Sequence, residues 1–169
     1  MRTFSAFLAI GLVSVLAALP SRGQPPAPLL PPLPAGVAAL EFSDFFVRPV
    51  GPRGLELTEK LLSLDGKRVR LLGYMVQQEE PRPGTFLLCE RPLLIDEHEG
   101  GYADLPPAHV RVLVPTAADR VLPHTPRPLL LTGTLSVGNR REPDGSVSLV
   151  RLTLDAPAAS SDTPTTTPQ

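Results

Sequence analysis

A two-residue alternation of apolar and polar side chains in the middle of the chain predicts β-strands. In His109–Val114 the three valines alternate with His109, Arg111 and Leu113, and alternate residues of a strand share one face. Further short apolar segments, bounded by Gly, Pro and Asp residues, have the length and composition of strands. We therefore expect five strands, over Lys67–Val76, Thr85–Cys89, His109–Val114, Leu129–Val137 and Val147–Leu154.

One helix and several turns complete the predicted elements. Leu55–Leu64 has helical composition with leucines near one face, and Asp65-Gly66 is expected to end it. In the first strand the alternation is expected to slip at Leu72-Gly73, where glycine permits a bulge or a bend. Pro143-Asp144-Gly145 is expected to turn the chain between the last two strands.

This set of elements favours a mainly β fold, a small five-stranded OB-like Greek-key barrel with one short helix. A small β-sandwich is the alternative, but sandwiches usually need about seven strands. Phe42, Phe45 and Phe46 are expected to pack over one end of the barrel.

The start of the chain predicts export. Arg2 is followed by an apolar run from Phe4 to Leu19 and then by small residues, which is typical of a secretory signal peptide cleaved after Gly23. The alternative is an uncleaved membrane anchor, but the apolar run is shorter than the ~20 residues that a spanning helix needs. We expect a periplasmic or extracellular protein, without stable membrane insertion after cleavage.

Proline-rich and polar segments flank the predicted domain. Six prolines in the eleven residues of Gln24–Pro34 predict an extended spacer. The region from Ala156 onwards is rich in Ala, Ser, Thr and Pro, so we expect it to be disordered. The predicted organisation is a signal peptide over 1–23, a spacer over 24–36, a barrel over 37–155 and a tail over 156–169.

Charge and cysteine content exclude some functions. Loss of residues 1–23 removes Arg2 and Arg22, so Lys plus Arg falls from 16 to 14 against 17 acidic residues, a formal net charge of −3. That balance disfavours a nucleic-acid partner. Cys89 is the only cysteine, so no internal disulfide can form. Because it closes an apolar strand, we expect a buried thiol rather than a nucleophile.

Several short segments resemble a family of bacterial exported proteins known as a domain of unknown function. They are Leu64–Lys67, Gly73–Val76, Phe86–Leu88, Asp104–Pro107 and Leu131–Leu135, and Phe45–Glu56 is similar to the leader of one subgroup. The resemblance implies an OB-like fold and carries no established activity. Relatives have a cysteine and a histidine ahead of a proline run, whereas Ala103–Leu105 precede Pro106-Pro107 here, so no metal or redox role is carried over.

The most polar stretch, Asp96–Asp104, is a candidate metal site. Carboxylates and a histidine on one loop could bind a divalent cation, with His98, Glu99 and Asp104 as ligands. The spacing matches no structural-zinc or calcium-loop pattern, and the alternative is a solvated acidic loop. No cofactor other than such a metal is expected.

A basic outer face is the second candidate site. Four arginines and a tyrosine are expected to point outward from the strands and to form a binding face, namely Arg68, Arg70, Tyr74, Arg111 and Arg151. An ordinary charged surface is the alternative. The expected partner is an unknown envelope protein, a glycan or another anionic ligand.

Taken together, these patterns favour an exported, non-enzymatic binding or accessory module of the bacterial cell envelope. The alternative is a divalent-metal-handling periplasmic protein that uses the Asp96–Asp104 loop. A hydrolase ranks third, because the sequence carries no nucleophile, metalloprotease or phosphate-loop motif.

Overall fold

The structure, a computed structural model, describes residues 30–95 and 105–155. The chain divides into two compact units, Met1–Pro31 and Pro32–Gln169, and the elements below all lie in the second unit. Among the described residues, no helix has the length and apolar character needed to cross a membrane. The predicted signal peptide, residues 24–29 of the spacer and the tail lie outside the described residues.

Strands dominate the described part of the chain, so the prediction of a mainly β protein is confirmed. The strands are β1 (Ala38–Leu40), β2 (Arg68–Met75), β3 (Gln77–Gln78), β4 (Thr85–Cys89), β5 (Leu94–Ile95), β6 (His109–Leu113), β7 (Leu129–Arg141) and β8 (Val147–Leu154). The helices are α1 (Glu59–Ser63) and two 3-10 turns, Phe42–Asp44 and Pro115–Ala117. The five predicted strands correspond to β2, β4, β6, β7 and β8, whereas the short β1, β3 and β5 were not predicted.

The main sheet has the strand order β1-β2-β4-β6-β8-β7, and β2 also pairs with β7. The pairings therefore form a closed circuit from β2 through β4, β6, β8 and β7 back to β2. Within this circuit only β6 and β8 run parallel, and the other neighbours are antiparallel. β1 adds to β2 in parallel outside the circuit, and β3 and β5 form a separate two-stranded sheet.

The first long strand, β2, keeps its alternation throughout, so the predicted slip at Leu72-Gly73 is wrong. Leu72 is exposed and Gly73 is buried, as an unbroken alternation requires, and the pairing with β7 is continuous from Arg68 to Gly73. Glycine is needed here for space. A Cβ atom at position 73 would lie 2.8 Å from both the Cys89 carbonyl oxygen and the Leu88 Cγ atom.

The predicted helix over Leu55–Leu64 is shorter in the structure and begins later. Leu57 forms an antiparallel bridge with Phe46, so this part of the chain is extended before the helix starts. Thr58 is the N-cap residue of α1, and its hydroxyl accepts a hydrogen bond from the Leu61 amide at 3.1 Å. Gly66 follows the helix with φ of 72°, the left-handed conformation that glycine adopts without strain.

The core is built from the inward faces of the circuit. Phe42, Phe45 and Phe46 are buried within it, and the rings of Phe42 and Phe45 stack with centroids 5.4 Å apart. They share one cluster with the inward residues of β6, β7 and β8, which are Val110, Val112, Leu135, Val150 and Leu152. The core faces predicted from the alternation of these strands are therefore confirmed, and the outward residues remain for the functional site.

Candidate ligand-binding cleft

The five residues of the predicted basic face do not share one exposed surface. Arg111 and Arg151 lie in register on the parallel strands β6 and β8, but their relative exposures are only 7% and 5%. The prediction that both would face solvent is therefore wrong. They do point away from the apolar core, but the end of β7 and the turn into β8 supply hydrogen-bonding groups that cover them.

The other three members of that group lie on β2. Arg68 donates to Asp155 Oδ2 through Nη2 at 2.5 Å, and this hydrogen bond and the opposite charge raise the pKa of Arg68. Arg70 Nη1 donates to the Pro32 carbonyl oxygen at 2.9 Å. Tyr74 is half-buried and pairs with Cys89 of β4. Among the described residues, these contacts link β2 to the chain segments that flank the fold. Arg111 has different neighbours.

Arg111 is held by the turn between β7 and β8. Its Nη1 donates to Asp144 Oδ2 at 3.2 Å and its Nη2 donates to Ser146 Oγ at 2.7 Å. Its Nε is buried and has no hydrogen-bond partner among the described residues. A buried donor of a charged group without a partner costs free energy, and the Nε of Arg151 is in the same state.

The conformation of that turn explains why Asp144 reaches β6. The Glu142 amide donates to the Ser146 carbonyl oxygen at 2.9 Å, and Gly145 closes the turn with φ of 83°. Asp144 Oδ1 accepts from the amide and the hydroxyl of Ser146 at 3.0 and 2.6 Å. Burial alone would raise the pKa of Asp144, but the hydrogen bonds from Ser146 and the charge of Arg111 lower it below 3.8. Asp144 is therefore an anion at neutral pH.

A cleft of about 550 Å³ opens beside Arg111, within the usual size range of ligand sites. Its charged lining consists of three guanidinium groups and two carboxylates, those of Arg82, Arg111, Arg140, Glu142 and Asp144. Prolines, small apolar side chains and two threonines make up most of the rest, including Pro83, Leu113, Thr85 and Thr153. Positive charge is thus in excess in the cleft, although the chain as a whole carries a net charge of −1.

Two of these arginines are exposed at the cleft. Neither Arg82 nor Arg140 forms an ion pair with another residue of the described segments, and both side chains are open to solvent. Arg82 precedes β4 and Arg140 lies on β7, and in the sheet β6 and β8 lie between these two strands. The cleft therefore combines a fixed, buried guanidinium with two that are free to meet a ligand.

Arg151 has a different role, since its hydrogen bonds stay within the β7–β8 hairpin. Nη1 donates to the carbonyl oxygens of Gly138 and Ser148, both at 3.0 Å, and Nη2 donates to Ser136 Oγ at 3.0 Å. Burial lowers the pKa of Arg151, and the negative charge of Glu142 opposes that change. Ser148 in turn donates to Glu142 Oε1. Arg151 thus ties the hairpin together and does not line the cleft.

A second cavity of about 300 Å³ also has Arg111 in its lining. Its polar groups come from His109, Arg111, Ser146 and Ser148, and its apolar groups come from Leu87, Leu105 and Val147. His109 Nδ1 lies 2.7 Å from the Pro106 carbonyl oxygen, so this ring nitrogen is already hydrogen-bonded. Arg111 is the residue that the cleft and the second cavity share.

The predicted metal ligands His98, Glu99 and Asp104 lie outside the described residues. Within residues 30–95 and 105–155, no three His, Cys, Asp or Glu side chains are close enough together to hold a metal ion. The metal site therefore stays a prediction.

The thiol of Cys89 is buried, as the sequence predicts. It is 1% exposed, and burial raises its pKa to about 12. A thiol in this state is protonated at physiological pH and is a poor nucleophile.

Sequence reasoning identified Arg111 but missed its hydrogen-bond partners. Asp144 and Ser146 are 33 and 35 residues away from it, and no sequence period links them. The turn Pro143-Asp144-Gly145 was predicted, so the available signal was an Asx-type turn residue at the tip of a hairpin. Arg82 lies in the Pro81–Gly84 segment, which has the composition of a turn.

Comparison with known proteins gives one structural likeness. No protein-family model matches the chain, and no curated protein matches it in sequence. The chain is similar to the crystal structure of a DUF3299 family protein from Pseudomonas aeruginosa PAO1, with 18% sequence identity and a TM-score of 0.42. The match covers 70% of this chain and 92% of the other. That protein belongs to a bacterial family named for a domain of unknown function, the kind of family that the sequence segments resemble.

Proposed function

We propose that this chain is an exported, non-enzymatic binding module of the bacterial cell envelope, and that it binds an anionic ligand in the cleft beside Arg111. One observation carries the proposal. The buried, fixed guanidinium of Arg111 lines a 550 Å³ cleft together with the exposed guanidinium groups of Arg82 and Arg140. An anionic ligand in the cleft would meet these two free charges.

An OB-like barrel is the fold that we propose for this module. The circuit β2-β4-β6-β8-β7 supports it, because it joins the first strand to the fourth and places the fifth beside the third. OB barrels bind ligands on the face of their second and third strands, between the loops that follow the first and fourth strands. The cleft has the corresponding lining here, from the Arg82–Gly84 segment before β4, from β6 and from the β7–β8 turn.

The chemistry of the cleft supports binding rather than catalysis. Guanidinium groups stay protonated at physiological pH, so they hold anions but do not exchange protons with a substrate. The hydroxyl of Thr85, which also lines the cleft, donates to the Val112 carbonyl oxygen at 2.8 Å. Asp144 is engaged by Arg111 and Ser146. The donors that remain for an anion are the guanidinium groups of Arg82 and Arg140.

Export is supported by the sequence of the first 23 residues, with Arg2 ahead of the apolar run and small residues before Gln24. Expression of the complete gene in a bacterial host, followed by mass spectrometry of the periplasmic fraction, tests it. We expect a form that begins at Gln24. A protein retained in the cytoplasm with an intact Met1 end would contradict export and leave the cleft proposal to its own test.

Binding is tested by titration of the ¹⁵N-labelled exported form in two-dimensional NMR. The probes are inorganic pyrophosphate, digalacturonate and the peptide acetyl-Gly-Glu-Leu-Glu-Leu-Gly-amide. We expect at least one probe to shift the amide signals of Gly84, Thr85 and Ser146, and the R82A/R140A variant to lose that response. If no probe shifts these signals, or if the shifts map to Arg68 and Arg70, the cleft is not the binding site.

A further inference from the structure

We infer that the ligand is an acidic peptide segment of a partner protein, in which an Asp or Glu stands next to an apolar residue. The inference rests on the proposed function and names its ligand. The carboxylate binds in the cleft beside Arg111, at the exposed guanidinium groups of Arg82 and Arg140, and the neighbouring apolar side chain enters the second cavity.

The first argument is that Arg111 already binds a peptide carboxylate. Asp144, on a turn of the same chain, accepts from Nη1 at 3.2 Å, while Ser146 takes Nη2. The guanidinium plane matches the two oxygens of a carboxylate, and Asp144 shows that a carboxylate carried by a polypeptide can reach it. Both terminal nitrogens of Arg111 are thus engaged, so a second such carboxylate meets the exposed guanidinium groups of Arg82 and Arg140 in the same cleft.

The second argument is the arrangement of the two cavities. The cleft and the second cavity both have Arg111 in their lining. The cleft carries the charged residues, whereas the second cavity adds the apolar side chains of Leu87, Leu105 and Val147. A ligand that fits both must carry negative charge and apolar surface close together. Adjacent acidic and apolar side chains of a peptide have that combination.

The third argument is the aliphatic character of the described apolar residues that line the two cavities. None of the described residues that line either cavity is Phe or Tyr, and the chain has no Trp. Proteins that bind single-stranded nucleic acid stack the bases on aromatic rings. The prolines, valines and leucines of the two cavities instead offer the aliphatic contacts that peptide side chains use.

The exposed arginines extend this surface. Arg82 and Arg140 are free of ion pairs with other described residues, so each can meet a further acidic residue of the partner. Charges at the rim of an interface mainly raise the association rate and make the affinity salt-dependent. We therefore expect a segment with two or more acidic residues to bind better than a segment with one.

Fluorescence polarisation with a fluorescein-labelled Gly-Glu-Leu-Glu-Leu-Gly peptide tests the inference on the exported form. We expect the Gln-for-Glu peptide to bind at least ~10-fold more weakly. The R82A/R140A variant should bind the acidic peptide roughly 10-fold more weakly than the wild type does. Added salt should weaken the binding of this peptide to the wild type. The R68A/R70A variant removes two arginines that do not line the cleft and should bind as the wild type does.

A second variant tests the apolar part of the site. Val147→Ser alters an exposed residue of the second cavity, so the fold should persist. It should weaken the Glu-Leu peptide but not a Glu-Gly peptide of the same length. The inference would be overturned if the acidic and Gln peptides bound equally well. It would also be overturned if neither R82A/R140A nor Val147→Ser changed peptide binding.

The other probes distinguish a failure of this inference from a failure of the proposed function. If pyrophosphate or digalacturonate shifts the NMR signals of the cleft and the peptide does not, the ligand class is wrong but the binding module stands. If the protein binds phosphatidylglycerol vesicles and not the peptide, the ligand is a lipid headgroup and the proposed ligand class is likewise wrong. If none of these probes acts on the cleft, both proposals fail.

Discussion

Gly73 faces the interior from β2, at a position with no room for a side chain. A Cβ atom there would lie 2.8 Å from the Cys89 carbonyl oxygen and 2.9 Å from the Phe42 ring. We expect Gly73→Ala to lower the free energy of unfolding by about 1–3 kcal/mol, because an overpacked core must shift. Urea unfolding measures the change. Gly51→Ala, where no atom lies within 4 Å of the added carbon, is the control, and an equal effect of both variants would contradict the explanation.

Asp144 makes the stability depend on pH. Hydrogen bonds from Ser146 and the charge of Arg111 lower its pKa in the folded protein below the ordinary value, so its stabilising effect is complete above roughly pH 5 and is lost as the pH falls through the folded-state pKa. At pH 7 we expect Asp144→Asn to reduce the free energy of unfolding by about 2 kcal/mol, since charge-assisted hydrogen bonds to Arg111 and Ser146 weaken.

The difference between wild type and this variant should shrink as the pH is lowered to about 3. Thermal or urea unfolding at several pH values measures it. Asp119→Asn is the control, because Asp119 is exposed and has no hydrogen bond or ion pair with another described residue. A difference that stays constant from pH 7 to 3 would contradict the role of the Asp144 charge.

The burial of Arg111 and Arg151 was beyond the reach of sequence reasoning at this scale. The alternation of β6 and β8 correctly turns both away from Val110, Val112 and the rest of the apolar core. It contains no information about what covers the outer face. The outer face is covered through hydrogen bonds with a hairpin that is 33 residues away from Arg111 in the chain. Long-range contacts of this kind produce no periodic pattern in the sequence.

At the scale of elements, the five-residue α1 depends on its cap. Thr58 accepts from the Leu61 amide at 3.1 Å and its hydroxyl also donates to the Asp44 carbonyl oxygen. We expect Thr58→Ala to lower the free energy of unfolding by about 1–2 kcal/mol, because an N-cap and a tertiary hydrogen bond are both lost. Ser63→Ala at the exposed end of the helix should cost less than ~0.5 kcal/mol. Urea unfolding distinguishes the two, and equal losses would contradict the capping role.

Long strands were predictable and short ones were not. β6 and β8 show a two-residue period over enough residues to be identified, and the sequence of β2 does so up to Leu71. The three-residue β1 and the two-residue β3 and β5 are too short for any period. They form because β2 and the loop after it offer unpaired backbone groups with which they can pair. The cause therefore lies in the tertiary structure. The helix boundary was misplaced for a similar reason, since the Phe46–Leu57 bridge keeps the preceding segment extended.

At the scale of the molecule, the closed circuit of strands should appear in hydrogen exchange. β2 pairs with β7 over six residues, and β7 pairs with β8 on its other side. β3 and β5 pair over only two. We expect peptides that cover β2, β7 and β8 to exchange only through global unfolding, and Leu94–Ile95 to exchange through local opening. Mass spectrometry measures both, and equally fast exchange in β2 and β5 would contradict a circuit that opens as one unit.

The place of β8 has a consequence for how the protein is made. Val147–Leu154 is the last described strand in the sequence, yet it lies between β6 and β7 in the sheet. A nascent chain that has not yet released this strand leaves the facing edges of β6 and β7 without partners, and open edges promote aggregation. The sheet is therefore completed only after Val147–Leu154 has emerged from the ribosome.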